Sequence, residues 1–475
     1  MKKYYFLLSL IFSINVSAQK EDSSFINLDS AIVTSRSIKI LDTKNPLVIS
    51  SIKKQQIIEK GARTTPEALM CVSGVFIQKT NHGGGSAFIR GLTGNQTLIV
   101  LDGIRLNNAI YRYGPNQYLN TIDMFTIDKI DVLKGFGAVE YGSDALSGVI
   151  HIKTKENASK ELNKISLNNT SKFISSDMEK TNRTAIQYAT NKWDFIGGIS
   201  LKKYGDLVGG GNIGKQNPTG YDEINYDLKT KIKINNQSEL IYSSQNTIQK
   251  NIPIYHKIAL ENYKTNHIDY QVRYLNYLKY KYISHKKWAS EIIINASTQR
   301  SIEQRSIQKN NSSIFRNEAD TVKNIGLTAE IVSKPNKNWT MNSGFDYYKD
   351  QIFSEAIETS SELNTQVFKR GLYPNGSIYK NSSLFNIHNL NFIKLNLVAG
   401  LRYNFLHIQM NELTLGNIAI NPSALVSNFG INYQLNQHGF LFGSITTGYR
   451  APNIDDLGSL GIVDFRYEIP SYDLR

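Results

Sequence analysis

Residues His82–Lys155 read HGGGSAFIRGLTGNQTLIVLDGIRLNNAIYRYGPNQYLNTIDMFTIDKIDVLKGFGAVEYGSDALSGVIHIKTK. Glycine recurs throughout. Two apolar runs, Leu98–Gly103 (LIVLDG) and Val149–Lys153 (VIHIK), lie directly beside acidic and basic residues. This pattern predicts a small compact module of short strands joined by tight turns that glycine permits. The sequence that follows has a different grain.

Working outward towards the N-terminus, Pro46–Ile58 predicts a strand (LVISSI) and then a short polar helix. Thr64-Thr65-Pro66-Glu67 has the order of a helix start: a hydroxyl cap, proline in the first turn, then an acid. A short helix over Ala68–Val72, stopped by Ser73-Gly74, and a strand at Val75-Phe76-Ile77 follow. The chain's one cysteine, Cys71, permits no internal disulfide and is expected as a small buried residue. Residues 1–18 have a basic start, an apolar core over Tyr4–Val16 and the small-residue end Val16-Ser17-Ala18. That is the order of a secretory signal peptide. Residues 19–45 are a polar leader with one β-prone run at Ser30–Arg36, a strand suited to capture by a partner's sheet edge.

Working outward towards the C-terminus, the residues alternate with period two over long stretches. In Trp193–Lys202 the odd positions are mostly apolar, and the even ones carry Asp194, Ser200 and Lys202. In Ile268–Tyr280, Ile268, Tyr270, Val272, Tyr274, Leu278 and Tyr280 are expected on one face. Asp269, Gln271, Arg273 and Lys279 are expected on the other. Such runs predict strands longer than the 5–6 residues usual in soluble sandwiches. Short Asn-, Lys- or His-containing turns are expected near 191–192, 235–236, 285–287, 336–338, 387–389 and 436–438. Longer polar loops are expected over Asp206–Glu223, Asn251–Thr265, Arg305–Asp320 and Ser354–Arg370. Trp193, Trp288 and Trp339 each follow a short turn, which places them on one interfacial rim. About thirteen strands are expected after Lys164, ending at Gly439–Arg450. The 27 tyrosines and 20 phenylalanines suit strands. The formal charge of +14 is scattered, with no basic helix or arginine cluster, so nucleic acid is not expected as a partner. No stretch has the roughly 20 apolar residues of a membrane helix, which leaves a membrane barrel open.

Two glycine patterns fail as nucleotide motifs. Gly135-Phe136-Gly137 has its next glycine at Gly142, the wrong spacing. Gly209…Gly214-Lys215 continues with Gln216 where a hydroxyl is needed and with Pro218 where a helix should open. No nucleophile, carboxylate pair or metal cluster is placed for catalysis, and His82 and His151 lack metal-site spacing. The chain is therefore expected to be no enzyme and to need no cofactor or metal.

Four ordered blocks then carry a resemblance: Phe88–Gly91 (FIRG), Leu98–Arg105 (LIVLDGIR), Ile130–Gly135 (IDVLKG) and Tyr141–Ile152 (YGSDALSGVIHI). They resemble the plug domain of TonB-dependent outer-membrane receptors. The resemblance implies an α+β plug (46–155) inside an all-β transmembrane antiparallel barrel (160–475). The family's barrel has about twenty-two strands. The sequence is therefore read as C-terminally truncated, with an open sheet edge that lipid would not tolerate. The plug's core motif falls on Arg90, Gly91, Asp102, Gly103, Arg105, Gly135, Tyr141, Gly142 and Gly148. The TonB box is expected at Ala31, Ile32, Val33, Thr34 and Ser35.

The implied activity is gated import of a scarce ligand across the outer membrane, energised by the TonB partner. The charges Arg90, Asp102, Arg105 and Asp131 are expected to meet the barrel wall. Ligand candidates are His82, Tyr111, Arg112, Tyr113, His256 and Arg450. Aromatic and cationic groups suit an anionic iron chelate, siderophore or haem, or a flat macrocycle. Tyr449-Arg450-Ala451-Pro452 and Pro470–Leu474 resemble the paired boxes of haem receptors, although Asn453–Glu468 between them holds no histidine. Import of cobalamin or another nutrient is the alternative, as is a surface receptor or adhesin without transport.

Overall fold

The computed structural model describes residues 31–33, 39–41, 48–79, 82, 84–114, 116, 118–135, 137–157, 162–412, 416–436, 439–463 and 466–471. The expected signal peptide, Thr34, Ser35 and Tyr472–Leu474 lie outside them. Ala31–Val33 pairs antiparallel with Lys39–Leu41.

The plug is built from β1 (Val48–Lys53), α1 (Lys54–Glu59), α2 (Thr65–Leu69), β2 (Val75–Gln78), β3 (Ser86–Ile89), β4 (Thr97–Leu101), β5 (Ile104–Arg105), β6 (Ile127–Lys134), α3 (Ala138–Tyr141) and β7 (Gly148–Thr154). Its sheet runs β1-β6-β7-β4-β5, and only the β4–β7 pair is parallel. The two apolar runs of the glycine-dense stretch are β4 and β7, neighbours at the sheet's centre. Ile99, Leu101, Ile130, Val132, Ile150 and Ile152 bury there together with Leu275 and Tyr277 of the wall.

Two local expectations fail. The Thr64 hydroxyl makes no capping bond. Glu67 instead accepts from the Arg63 backbone N–H at 2.8 Å, so the helix start is held by its acid. Cys71 is exposed, because the turn after α2 points Val72 inward in its place.

The wall is an up-and-down meander of thirteen strands: β8 (Ile165–Ile174), β9 (Glu179–Ala189), β10 (Trp193–Tyr204), β11 (Tyr221–Lys233), β12 (Ser238–Pro253), β13 (Tyr263–Ile283), β14 (Glu291–Lys309), β15 (Ile314–Asn336), β16 (Trp339–Ser360), β17 (Ile378–Asn391), β18 (Leu395–Glu412), β19 (Ser423–Gln434) and β20 (Phe440–Thr446). Thr365–Arg370 and Gly416–Ile420 add to β16 and β18, giving one fifteen-stranded antiparallel sheet whose end strands β8 and β20 are not paired with each other. The expected alternation holds. Leu401, Tyr403 and Phe405 of β18 are exposed on the outer face, whereas Arg402, Asn404 and Leu406 are buried inside. In β10, Ile199 and Leu201 face out, and Ser200 and Lys202 face in.

In β13 the alternation changes phase. The pairing of β13 with β14 shifts between Ile268 and Tyr270, so a bulge at Asp269 turns Ile268 inward while Tyr270 stays outside. The residues 387–389 are not a turn but the inner end of β17, and the turn lies at 392–394. Arg305–Asp320 and Ser354–Arg370 are mostly strand rather than loop. β15 has 23 residues, about 75 Å of chain, where a tilted membrane strand needs roughly 9–11. The expected loop Asn251–Thr265 contains a short helix, α4 (Tyr255–Leu260), and Asp206–Glu223 a hairpin of Leu207–Gly209 with Gly214–Gln216. The would-be phosphate loop is that hairpin.

Candidate functional site

The plug meets the wall through carboxylates and backbone carbonyls set at its turns. After β4 the chain reverses at Asp102-Gly103, both with positive φ (51° and 91°). The turn points the Asp102 carboxylate at Thr154, whose N–H and hydroxyl donate at 2.9 and 2.6 Å. From the wall, Tyr277 donates at 2.9 Å and Lys229 lies at 3.1 Å, while Lys279 donates to the Asp102 carbonyl at 2.9 Å. Burial works to raise this carboxyl's pKa, but Lys229 and the Thr154 bonds outweigh it and hold the group well below the usual range.

Asp102 is the one expected wall contact of the four that forms. Arg105 pairs with Asp144 and donates to the Ser143 and Asn107 carbonyls, all within the plug. Asp131 takes Ser51, Lys129 and Lys153, also within the plug. Arg90, at φ 53°, lies against Gly135. These charges brace the plug's own turns.

The stronger tie is one that sequence reasoning missed. Asp123 caps the turn at 124–126 by accepting from the Phe125 N–H at 3.0 Å. The same carboxylate takes Lys202 at 2.9 Å, the Ser200 hydroxyl at 2.6 Å and Arg183 at 3.3 Å. Further round, Asp350 accepts the Ala109 N–H at 2.7 Å, Asn428 donates to Glu140 at 2.7 Å, and Arg402 packs against Gly142 while holding Asp346 at 2.5 Å.

At the apex, the ring of Tyr111 is buried and stacked on Tyr118, with centroids 3.6 Å apart. Arg112 is engaged by the wall: Glu303 lies at 2.6 Å, and its Nε donates to the Tyr373 hydroxyl at 3.1 Å. Tyr113 is half exposed. The segment after β20 folds back over the plug as a strap containing α5 (Ile454–Gly458). The Ile454 N–H donates to the Ala109 carbonyl at 2.9 Å, the Asn453 side chain to the Tyr111 carbonyl at 2.8 Å, and the Ala451 N–H to the Ser143 hydroxyl at 3.0 Å. Ile454 and Leu457 are fully buried. Arg450 closes the strap on Asp456 with two bonds of 2.5 and 3.0 Å. Asp455 accepts from Tyr373 at 3.2 Å, and its carboxyl is pushed up to about 8 by burial, against the pull of Arg112.

Of the six expected ligand residues, Tyr111, Arg112 and Tyr113 lie at the apex beneath the strap that Arg450 closes. His82 is fully buried, its Nδ1 2.9 Å from the Gly205 carbonyl and its ring 4.7 Å from that of Tyr204. His256 sits on α4 in the loop between β12 and β13. Arg112 and Arg450 are both ion-paired. Among the described residues no cluster of three or more His, Cys, Asp or Glu is arranged to hold a metal.

His82 and His151 are buried neutral, each pushed down to about 4. Burial is the main cause in both, followed by Arg63 for His82 and Lys153 for His151. The unfolded chain, with histidine near 6.5, binds more protons between those values. Each histidine's contribution to plug stability is thus complete above pH 6.5 and lost as the pH falls towards 4. Buried Glu140, pushed up to about 7, acts in the opposite sense and is common to wild type and variant. His151→Gln is expected to lose less plug stability than wild type on going from pH 7 to pH 5, measured by urea denaturation at both. Equal losses would refute the assignment.

An antiparallel wall with an apolar outer face, holding a second domain by ion pairs on its inner face, has the architecture of a plug and part of the barrel that surrounds it. The chain belongs to the TonB-dependent receptor family: the sequence model of the TonB-dependent Receptor Plug Domain matches residues 42–149, and that of the TonB dependent receptor-like beta-barrel matches residues 163–471. The chain is 37% identical over 118 residues to the vitamin B12 transporter BtuB of Vibrio vulnificus (strain CMCP6), covering 24% of this chain and 19% of that protein. It is 31% identical over 158 residues to the iron-regulated outer membrane virulence protein of Vibrio cholerae serotype O1 (strain ATCC 39541 / Classical Ogawa 395 / O395), covering 31% and 23%. The matched stretch is thus about a fifth of those relatives' length. In fold it is similar to the copper transporter OprC (TM-score 0.73, 12% identity, 86% of this chain and 64% of that one) and to the unliganded ferric citrate transporter FecA (TM-score 0.70, 14% identity, 87% and 64%). The two sequence relatives are named as a vitamin B12 transporter and as an iron-regulated outer membrane virulence protein.

Proposed function

We propose that this chain is the ligand-gated part of an energised outer-membrane importer for a scarce small molecule. Residues 1–18 direct export, 19–45 form the periplasmic leader, 46–155 the gate and 160–475 the wall. The observation that carries the reading is the plug's attachment. It is tied to the wall through Asp102 and Asp123 and covered by the strap, so it is held in place by contacts that can be broken. A passive adhesin would need no such gate. The leader strand at Ala31–Val33 supports pairing with the TonB partner, which would pull the plug open.

The ligand class is an iron chelate or a cobalamin. Relatives of both kinds match this chain, one named as a vitamin B12 transporter and one as an iron-regulated outer membrane virulence protein. Arg112 is neutralised by Glu303, so recognition of an anionic chelate would fall to Tyr113 and the outer loops rather than to that guanidinium. Deleting Ala31–Ser35 from the full-length receptor is expected to abolish uptake of the bound ligand while leaving binding unchanged. Radiolabelled cyanocobalamin, ferric siderophores and haem would be screened on cells. Uptake that survives the deletion would rule out energised import through this segment.

A further inference from the structure

Among the described residues, four arginines are less than a tenth exposed: Arg105, Arg183, Arg273 and Arg402. Three hold carboxylates. Arg105 has Asp144, Arg183 has Asp123 and Asp227, and Arg402 has Asp346. Arg273 holds none. It reaches from β13 to the plug, where Nε and Nη2 donate to the Thr121 carbonyl at 3.1 and 2.5 Å and Nε also meets the Thr121 hydroxyl at 3.2 Å. Its third nitrogen, Nη1, is buried without a partner.

A guanidinium cannot shed its proton, so this charge is not relieved by neutralisation. A buried charge without a counter-charge is costly, and backbone carbonyls supply dipoles rather than charge. Arg273 borders a cavity of about 40 Å³ between the plug apex and the wall, lined also by Tyr111, Tyr118, Gln271, Ser301 and Glu303. One water needs roughly 10–15 Å³ by this measure. The space therefore holds about three waters, enough for a monatomic anion with part of its hydration. Water would satisfy the Nη1 donor but leave the charge.

The lining offers further donors. Tyr118 accepts the Arg112 N–H at 2.9 Å, which leaves its own hydrogen to give. Ser301 adds a hydroxyl. The Gln271 amide oxygen has no partner, so that amide can turn its nitrogen inward. The two acids at the border are already engaged: Glu303 by Arg112 and Arg305 (2.6 and 3.3 Å), Asp320 by Arg305 and Ser354 (3.1 and 2.6 Å).

We propose that this cavity binds one small monovalent anion of the halide class, which completes the contact between plug apex and wall. The anion is a structural counter-ion. It strengthens the closed gate between the ties at Asp123, two residues from Thr121, and at Asp102, which Tyr277 of the same strand holds.

The test uses the full-length receptor in neutral detergent, unfolded by heat at matched ionic strength in sodium chloride, bromide or gluconate. Wild type is expected to melt about 3 °C higher in the halides than in gluconate. Arg273→Met, which fills the same space without charge, is expected to melt at one temperature in all three. Crystals grown in bromide should show an anomalous peak at Arg273 Nη1. This peak is read on wild type and so does not depend on the variant's folding. Equal melting of wild type in chloride and gluconate, a halide shift that persists in Arg273→Met, or water alone at Nη1 would each overturn the proposal. None of these readouts depends on transport, so the importer reading stands or falls separately.

Discussion

Gly148→Ala is expected to leave the receptor without a folded plug. Gly148 opens β7 at φ 158°, a region reserved for glycine, and a Cβ there would lie 2.2 Å from the Leu133 carbonyl oxygen. Neither neighbour can yield. Gly148 pairs with Lys134 of β6 on one side and with Thr97 of β4 on the other, at the centre of the plug sheet. Backbone strain of this kind costs about 1–3 kcal/mol, and the overlap with a fixed carbonyl adds more than overpacking usually does. A domain with a net stability of about 5–15 kcal/mol would lose most of it. Trypsin added to purified outer membranes should therefore remove the plug from Gly148→Ala while sparing it in wild type. The control is Gly91→Ala, where φ is also positive (81°) but a Cβ would meet nothing within 4 Å. That variant should stay protected. A resistant plug in Gly148→Ala would show that the strand can shift its register.

The glycine-dense stretch makes this position legible in the sequence because only a backbone held against another backbone needs glycine at the end of an apolar run. The same stretch yields Asp102, since an acid at a two-residue reversal between apolar runs has few places to point. The wall was legible for a different reason: its outer face meets lipid and must be apolar, so every second residue betrays the strand. What lipid does not touch was misread. Ile387-His388-Asn389 has the composition of a turn but is strand: Ile387 packs inward on the plug and Asn389 is buried beside it, while His388 takes the Trp339 ring N–H on the other face. Residues 305–320 read as loop because strands that rise beyond the membrane are polar on both faces. The bulge at Asp269 is invisible to a period-two reading, which assumes unbroken phase.

Ligand contacts are less legible for a further reason. The residue types of Tyr111-Arg112-Tyr113 suit a ligand, and they are equally explained by packing. Tyr111 is stacked on Tyr118, and Arg112 faces Glu303, nearly two hundred positions away in the chain. Which charge meets which across the plug–wall interface depends on strand register over the whole sheet, and no local pattern encodes it. Asp123 and Arg273 are hidden by the same circumstance. Each is one polar residue among many, and each is singled out only by the partner it meets or lacks.

Asp123→Ala should accordingly release the plug from the wall more than any other single charge removal. The carboxylate is fully buried with Lys202 at 2.9 Å, Arg183 at 3.3 Å and Ser200 at 2.6 Å. Its loss leaves Lys202 with Glu223 alone and Arg183 with Asp227 alone, both still buried. Breaking a buried pair from one side costs about 3–5 kcal/mol, because the remaining charge stays desolvated. The matched control is Asp131→Ala. It removes an equally buried carboxylate from a plug-internal site, where the lysines left behind, Lys129 and Lys153, belong to the plug and not to the wall, so no plug–wall contact is lost. Acid should mimic the Asp123 variant. Burial works to raise the Asp123 carboxyl, but Lys202 and Arg183 prevail and hold it below its ordinary value. Its contribution is thus present above the unfolded carboxylate range near pH 4 and is lost as the pH falls through the lower, folded value. With urea added to the intact receptor at pH 7, plug release followed by protease digestion should occur at clearly lower concentration in Asp123→Ala than in Asp131→Ala. Cells carrying the first variant should also admit a large antibiotic that the wild-type gate excludes. If both variants released the plug at the same urea concentration, the Asp123 cluster would not be what holds the gate shut.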